Sequence, residues 1–168
     1  LLSRLALTFG GASPSLLSSG VSQDNVFFRA NLTNRPLPEL GERAPPEGAI
    51  HVERTRFLWD RRLYERVALT NYAEREVPVT LRLAFAADFA DIFEVRGMNR
   101  PARGTVLEPT IEDGRIVLAY DGLDEVRRTT TIGFTPEPDR IERGAAGYAL
   151  ELPPGRATTI ELRIDSEA

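Results

Sequence analysis

Val77-Pro78-Val79-Thr80-Leu81-Arg82-Leu83-Ala84-Phe85-Ala86-Ala87 decides the fold. Val77, Val79, Leu81, Leu83, Phe85 and Ala87 fall on one side at a period of two. Thr80, Arg82 and Ala84 fall on the other. This is the pattern of a strand with one face in a core. Upstream, Ala49–Trp59 and Leu63–Tyr72 read as a hairpin joined near Asp60-Arg61-Arg62, and Asn71–Glu76 reads as the turn leading into Val77. The first arm puts Ile50, Val52, Arg54, Arg56 and Leu58 on one face and His51, Glu53, Thr55, Phe57 and Trp59 on the other. Neither face is purely apolar, so this strand is expected to be partly covered on both sides or to meet a partner.

The same alternation recurs along the chain. Leu5, Leu7 and Phe9 alternate with Arg4, Ala6 and Thr8 before a Gly10-Gly11 turn, and Ser15–Ser19 reads as a return strand. Asn25–Leu32 alternates again. Between Asn34 and Gly48, Pro36, Pro38, Pro45 and Pro46 remove ladder donors, which makes a long loop. Arg115–Tyr120, Arg127–Phe134, Gly147–Leu152 and Thr158–Ile164 complete the set, with a hairpin signal at Asp113-Gly114 and turns at Pro136, Pro138 and Pro153-Pro154-Gly155. Short strands every ten residues or so, without helical periodicity, predict an all-β fold: an antiparallel β-sandwich of about ten or more strands with little helix.

Composition bounds the function. The 168 residues are those of one ordinary domain, and 42% apolar with 27% charged is the balance of a soluble globular protein. A net charge of −4 disfavours nucleic acid and anionic membrane as partners. All 21 basic residues are Arg, which suits bidentate pairing with carboxylates. There is no Cys, hence no disulfide or thiolate zinc site, and no apolar run approaches the roughly 20 residues of a membrane span. The chain opens without Met, and is read as part of a longer one.

The segment Asp88-Phe89-Ala90-Asp91-Ile92-Phe93-Glu94-Val95-Arg96-Gly97-Met98-Asn99-Arg100 follows the deciding strand. Three carboxylates and two guanidinium groups are interleaved there with large apolar groups, whose burial would pull the charges to a low-dielectric edge where each must find a partner. The segment is an ion-pair seam or a recognition surface. A glycosidase pair drawn from Asp88, Asp91 and Glu94 is disfavoured, because acids so close in sequence do not straddle a sugar. His51 is the only His, and Asp88 and Asp91 lack the glycine-turn spacing of a calcium loop, so no metal site is expected. Ser18 and Ser19 lie in no nucleophile elbow, and Gly10-Gly11 is a turn rather than a phosphate cradle. No cofactor is expected. Trp59, Tyr64, Tyr72 and Tyr120 could stack on sugars if exposed, though aromatics at strand spacing are more often core. Arg54, Arg56, Arg96, Arg100, Arg103, Arg127 and Arg128 could form one network with Asp88, Asp91, Glu94 and Asp124 at the sandwich edge.

Several runs together resemble a family. They are Leu-Ser-Arg-Leu at 2–5, Leu-Leu-Ser-Ser at 16–19, Asp24-Asn25, Leu-Thr-Asn-Arg-Pro at 32–36, Arg-Thr-Arg-Phe at 54–57, Leu-Tyr-Glu-Arg at 63–66 and Asn71-Tyr72. Ala-Asp-Phe-Ala-Asp-Ile-Phe-Glu-Val-Arg-Gly at 87–97, Tyr120-Asp121-Gly122-Leu123-Asp124 and Arg127-Arg128-Thr129 follow in order. From about Leu2 to Phe134 the chain resembles the N-terminal domain of bacterial and archaeal glycogen debranching enzymes of the amylo-α-1,6-glucosidase type, most specifically at 87–97. The resemblance implies a supersandwich-like domain spanning 1–168, with the catalytic (α/α) toroid following Ala168, in a cytoplasmic enzyme. No family catalytic residue maps onto this sequence. The expected role is a non-catalytic accessory domain with the catalytic domain of the same chain as partner and an α-glucan as a second one. Asp88, Asp91, Glu94, Arg96, Arg100, Arg103 and Trp59 are the candidates for interface or glucan contact. An autonomous glucan-binding module using Trp59 and the tyrosines is the alternative, and an independent β-sandwich hydrolase is the third reading.

Overall fold

The structure, a computed structural model, describes residues 2–167. The deciding stretch forms β6 (Val77–Ala87), and Val77, Val79, Leu81, Leu83 and Phe85 are all buried. β6 pairs with β1 (Leu2–Phe9) on one side and β12 (Ala145–Leu152) on the other, and β11 (Arg140–Glu142) completes a four-stranded sheet in the order β1-β6-β12-β11. Opposite lies a larger sheet. Its order is β2 (Ser15–Val21), β3 (Phe28–Thr33), β4 (Ile50–Trp59), β5 (Arg62–Asn71), β13 (Ala157–Glu167), β10 (Arg127–Thr135), β9 (Arg115–Asp121) and β7 (Thr105–Val106). β8 (Thr110–Glu112) also pairs with β9. Every strand ladder is antiparallel, and the inward side chains of both sheets form one core, where Phe85 and Phe134 meet at 5.8 Å. The all-β sandwich read from the sequence is therefore the fold, with thirteen strands.

Hairpin turns fix the registers. Asp60 and Arg61 both take left-handed backbone (φ 48° and 59°), the twist a two-residue hairpin requires. This sets Arg56 opposite Glu65 and Phe57 opposite Tyr64. Glu65 points inward and is fully buried, and its oxygens are held by Arg54 (Nε at 2.6 Å) and by Arg56. Arg54 Nη2 lies against the same carboxylate but is poorly aligned for a hydrogen bond. Burial pushes the Arg54 guanidinium below its usual pKa, and Glu65 pulls it back. The mixed face of the first arm thus buries an Arg–Glu–Arg group.

Two buried asparagines tie the connections. Asn71 donates to the carbonyls of Arg75 and Leu152, both at 2.8 Å, and accepts from the Ala73 amide at 2.8 Å. Its own carbonyl accepts from Gly155 N at 2.8 Å. One side chain therefore joins both crossings between the sheets, β5 to β6 and β12 to β13. Asn34 closes the proline-rich loop in the same manner, donating to Arg35 O and Pro46 O and accepting from Ile50 N. That loop is built on 3₁₀ turns at Pro38–Arg43, and Leu37 seals the core from it.

The structure adds two short strands that the sequence reading did not name, β7 and β11, and differs from it at the start of β3 and within the 88–100 segment. Ser22–Phe27 is a turn, so β3 starts at Phe28 rather than Asn25. The Asp24 carboxylate accepts from Val26 N, and Asn25 is left-handed (φ 58°), which breaks the ladder there. Within the 88–100 segment a single helical turn forms, α1 (Ile92–Val95).

Candidate functional site

The polypeptide leaves β6 through an Asx turn in which Asp88 Oδ1 accepts from Ala90 N at 3.0 Å. Phe89 adopts φ 51° and turns its ring inward, stacking on Tyr120 with centroids 5.4 Å apart and planes 13° apart. Asp91 then caps α1. Its Oδ1 accepts from the amides of Phe93 (2.8 Å) and Glu94 (2.9 Å), while Glu94 Oε2 accepts from the Asp91 amide at 2.9 Å. This reciprocal pair is a capping box, and it lets a four-residue helical turn form where helix propensity alone would not.

Each carboxylate of the box has one oxygen left, and each receives an arginine from the returning chain. Arg100 binds Asp91 Oδ2 through Nε (3.1 Å) and Nη2, and its guanidinium lies 5.8 Å over Phe93. Arg103 binds Glu94 Oε1 at 2.9 Å, donates to Asp88 O at 2.6 Å, and sits 6.0 Å over Tyr120. Tyr120 Oη accepts from Gly104 N at 2.7 Å. Gly104 is obligatory, because a Cβ there would run into the Asp121 carbonyl. The Glu94 amide, then Arg100, then the Phe93 amide hold the Asp91 carboxyl below its ordinary pKa. Beside it, Arg127 pairs with Asp121 (2.7 and 2.9 Å) and Arg128 with Asp124 (2.7 and 3.0 Å), holding both acids down as well.

This lattice faces two adjoining clefts that share Phe89, Asp91 and Arg128. One, of about 740 Å³, runs to the β4–β5 tip at Asp60–Arg62 and to Asp165 at the end of β13. The other, of about 530 Å³, runs along Arg100, Arg103 and Leu123. The larger cleft is sugar-sized and bears several acids, which is the arrangement that a hydrolase reading requires. Asp91 is saturated as described, Asp165 is bound by Arg62 and Arg163, and Asp60 by Arg62 at 3.3 Å, while Glu167, exposed at the end of β13, enters no ion pair among the described residues. Asp91, Asp121 and Asp124 are held ionised, the opposite of a general acid.

The apolar members of the segment do not follow the sequence expectation of burial. Only Phe89 is buried, whereas Ile92, Phe93, Val95 and Met98 stand 51–71% exposed. A four-residue turn lying on top of its own ion pairs has no inner face wide enough for them. Asp88, Asp91, Glu94, Arg100 and Arg103 are brought together as expected, and Arg127 and Arg128 lie beside them. Arg96 enters no ion pair among the described residues, and Arg54 and Arg56 belong to Glu65, so the single network splits in two. Trp59 is 71% exposed beside Leu58 at the β4–β5 tip, bordering the larger cleft through Asp60. Arg62 and Asp165 were not singled out by sequence. Their link across β5 and β13 depends on long-range register, and no local motif carries it.

Residues 1–163 match the family described as the N-terminal domain of (some) glycogen debranching enzymes. No curated protein matches the sequence at a significant level. Among solved structures, a human-microbiome protein to which kojibiose phosphorylase activity is ascribed aligns with a TM-score of 0.64 at 11% identity, covering 99% of this chain and 22% of that protein. The Slr1438 protein of Synechocystis sp. PCC 6803 aligns with a TM-score of 0.51 at 9% identity, covering 94% of this chain and 66% of that one. At such identities the structural likeness concerns the fold, and the chain spans about a fifth of the first protein's length. The sequence match covers nearly the whole chain and includes the 87–97 run: this chain belongs to the family of N-terminal domains of glycogen debranching enzymes.

Proposed function

We propose that this domain is non-catalytic and packs, through the 88–104 end of the sandwich, against the catalytic domain of a longer glycogen-debranching chain, the (α/α) toroid following residue 168. One observation carries the reading: Ile92, Phe93, Val95 and Met98 are exposed over a lattice whose own carboxylates, Asp91 and Glu94, already have partners. Apolar side chains fixed on a closed polar base suit association, and acids already bound by arginine are poor catalysts. Val95→Asp is the direct test, because Val95 is 71% exposed and its replacement leaves this chain's core intact. In the longer enzyme it should lower thermal stability and α-1,6-glucosidase activity, with no change in the melting temperature of this chain alone. An unchanged longer enzyme would reject the docking role.

A second reading, glucan binding, is favoured by the 71% exposed Trp59, next in sequence to Asp60 of the larger cleft. Titration of this chain with malto-oligosaccharides, followed by Trp59 fluorescence, should saturate in the millimolar range typical of weak modules, about −4 kcal/mol. A flat titration with the docking test positive would leave the first reading alone.

A further inference from the structure

We propose that β2 is a self-association edge through which two copies of this chain join their larger sheets, strand to antiparallel strand, about a two-fold axis at Ser19. β2 is the terminal strand of that sheet, and among the described residues no backbone group bonds to its outer side. The remaining strands at sheet edges are short or charged: β7 has two residues, β8 and β11 have three with Glu112, Arg140 and Glu142, and β1 carries Arg4. Such charge and brevity are what keep edges from pairing. β2, Ser-Leu-Leu-Ser-Ser-Gly-Val, has neither charge nor proline. Its one irregularity is a bulge between Leu16 and Ser18, and the ladder is regular from Ser18 to Val21.

The surroundings of β2 fit the same occupant. In a chain with 25 acidic and 21 basic residues, the run 12–28 holds a single charge, Asp24, whose carboxylate is engaged by Ser22 and Val26 N. Leu16, Leu17, Val21, Val26, Phe27 and Phe28 are all exposed there, and a groove of about 350 Å³ runs between Ser18–Ser22 and Phe27, Arg29 and Asn31. The strand itself brings no charge to such a contact, and the nearest cation in the groove, Arg29 on β3, is paired with Glu53 at 3.7 Å. The six side chains leave on the order of 500 Å² in water per copy, so a pair that covered all of it would bury at most about 1,000 Å², the lower bound for a specific interface. The strand is also self-complementary. An axis at Ser19 sets Leu17 against Val21 of the second copy and Ser18 against Gly20. This surface shares no residue with the 88–104 end, so it stands apart from the docking role.

Sedimentation equilibrium on this chain at concentrations up to about 200 µM tests it. A monomer–dimer equilibrium with Kd on the order of 10–100 µM is expected for an interface of this size. Leu17→Glu and Val21→Arg should each raise Kd at least about tenfold. An equimolar mixture of the two should restore the dimer, since each introduced charge then meets its opposite across the axis. A wild-type chain that stays monomeric, single variants that dimerise like wild type, or a mixture no better than its components would each overturn the proposal.

Discussion

Replacing Asn71 tests whether one side chain joins the two sheets. Asn71→Ala leaves the buried Leu152 carbonyl without its donor, which costs about 1–3 kcal/mol, and removes the bonds to Arg75 O and Ala73 N, about 0.5–1.5 kcal/mol each. The loss should total about 2–6 kcal/mol, a large part of the about 5–15 kcal/mol that holds a domain folded. At about 2–4 °C per kcal/mol for a chain of this size, the melting temperature should fall by about 4–24 °C. Asn71→Asp should be worse at neutral pH, because it keeps the acceptor for Ala73 N but turns a buried charge toward two carbonyls. Such an acid would have its folded pKa raised, so its excess penalty should shrink as pH falls through that value. Urea unfolding at pH 7 and pH 4 measures both effects. The substituted site lies at the far end of β5 from Asp60–Arg62, ten residues or about 33 Å away, so the amide shifts of α1 should not move. A loss below about 1 kcal/mol for Asn71→Ala would refute the clamp.

Glu65→Ala should destabilise by about 3–5 kcal/mol, since it strands Arg54 and Arg56 in the sandwich, and urea denaturation reads it. Replacing all three members by Leu or Met of similar volume should be near neutral, which separates the worth of the pair from the penalty of breaking it. The Asp91 carboxyl is depressed in the folded chain, so its contribution is present above the unfolded value of about 3.9 and is lost as pH falls through the folded value below that. Protection factors of the Phe93 and Glu94 amides, taken against the intrinsic exchange rate at each pH, should accordingly hold from pH 7 to about pH 4 and fall only below it; a loss of protection between pH 5 and 7 would contradict the capping geometry. Arg100→Gln should loosen the same two amides while leaving the melting temperature of the chain nearly unchanged, as befits an exposed pair.

The fold was legible where one periodicity governed a whole element. Val77–Ala87 lies wholly in one strand because every second side chain reaches the core, and the β4–β5 hairpin follows once Asp60 and Arg61 are placed in its turn. That turn also determines that Arg56 faces Glu65, so the buried group was within reach of the sequence, and assigning Arg54 and Arg56 to the distant carboxylates ignored the register. The helical turn was missed because four residues show no period. Its signal was chemical instead: Asp91 followed three residues later by Glu94, the spacing of a capping box. The β5–β13 link of Arg62 to Asp165 carries no such signal, since it depends on which strands become neighbours across 103 residues.

The same box explains why the apolar residues of this segment are turned outward. A carboxylate that caps backbone amides with one oxygen and binds an arginine with the other cannot also leave room beneath it for Ile92 or Phe93. Satisfying the charges within the segment therefore forces the hydrophobic groups into water, at an end of the sandwich where Leu58, Trp59 and Leu123 are exposed too. Pairing the charges with one another while the apolar groups stay in water is an unfavourable arrangement for an isolated chain, and the proposed docking would relieve it by taking up the apolar side. Chemistry would need the reverse arrangement, with a carboxyl left unpartnered and its pKa raised within a dry cleft. The capping box and its two arginines leave Asp91 and Glu94 unsuited to that task, and leave Ile92, Phe93 and Val95 as the groups the proposed docking would bury.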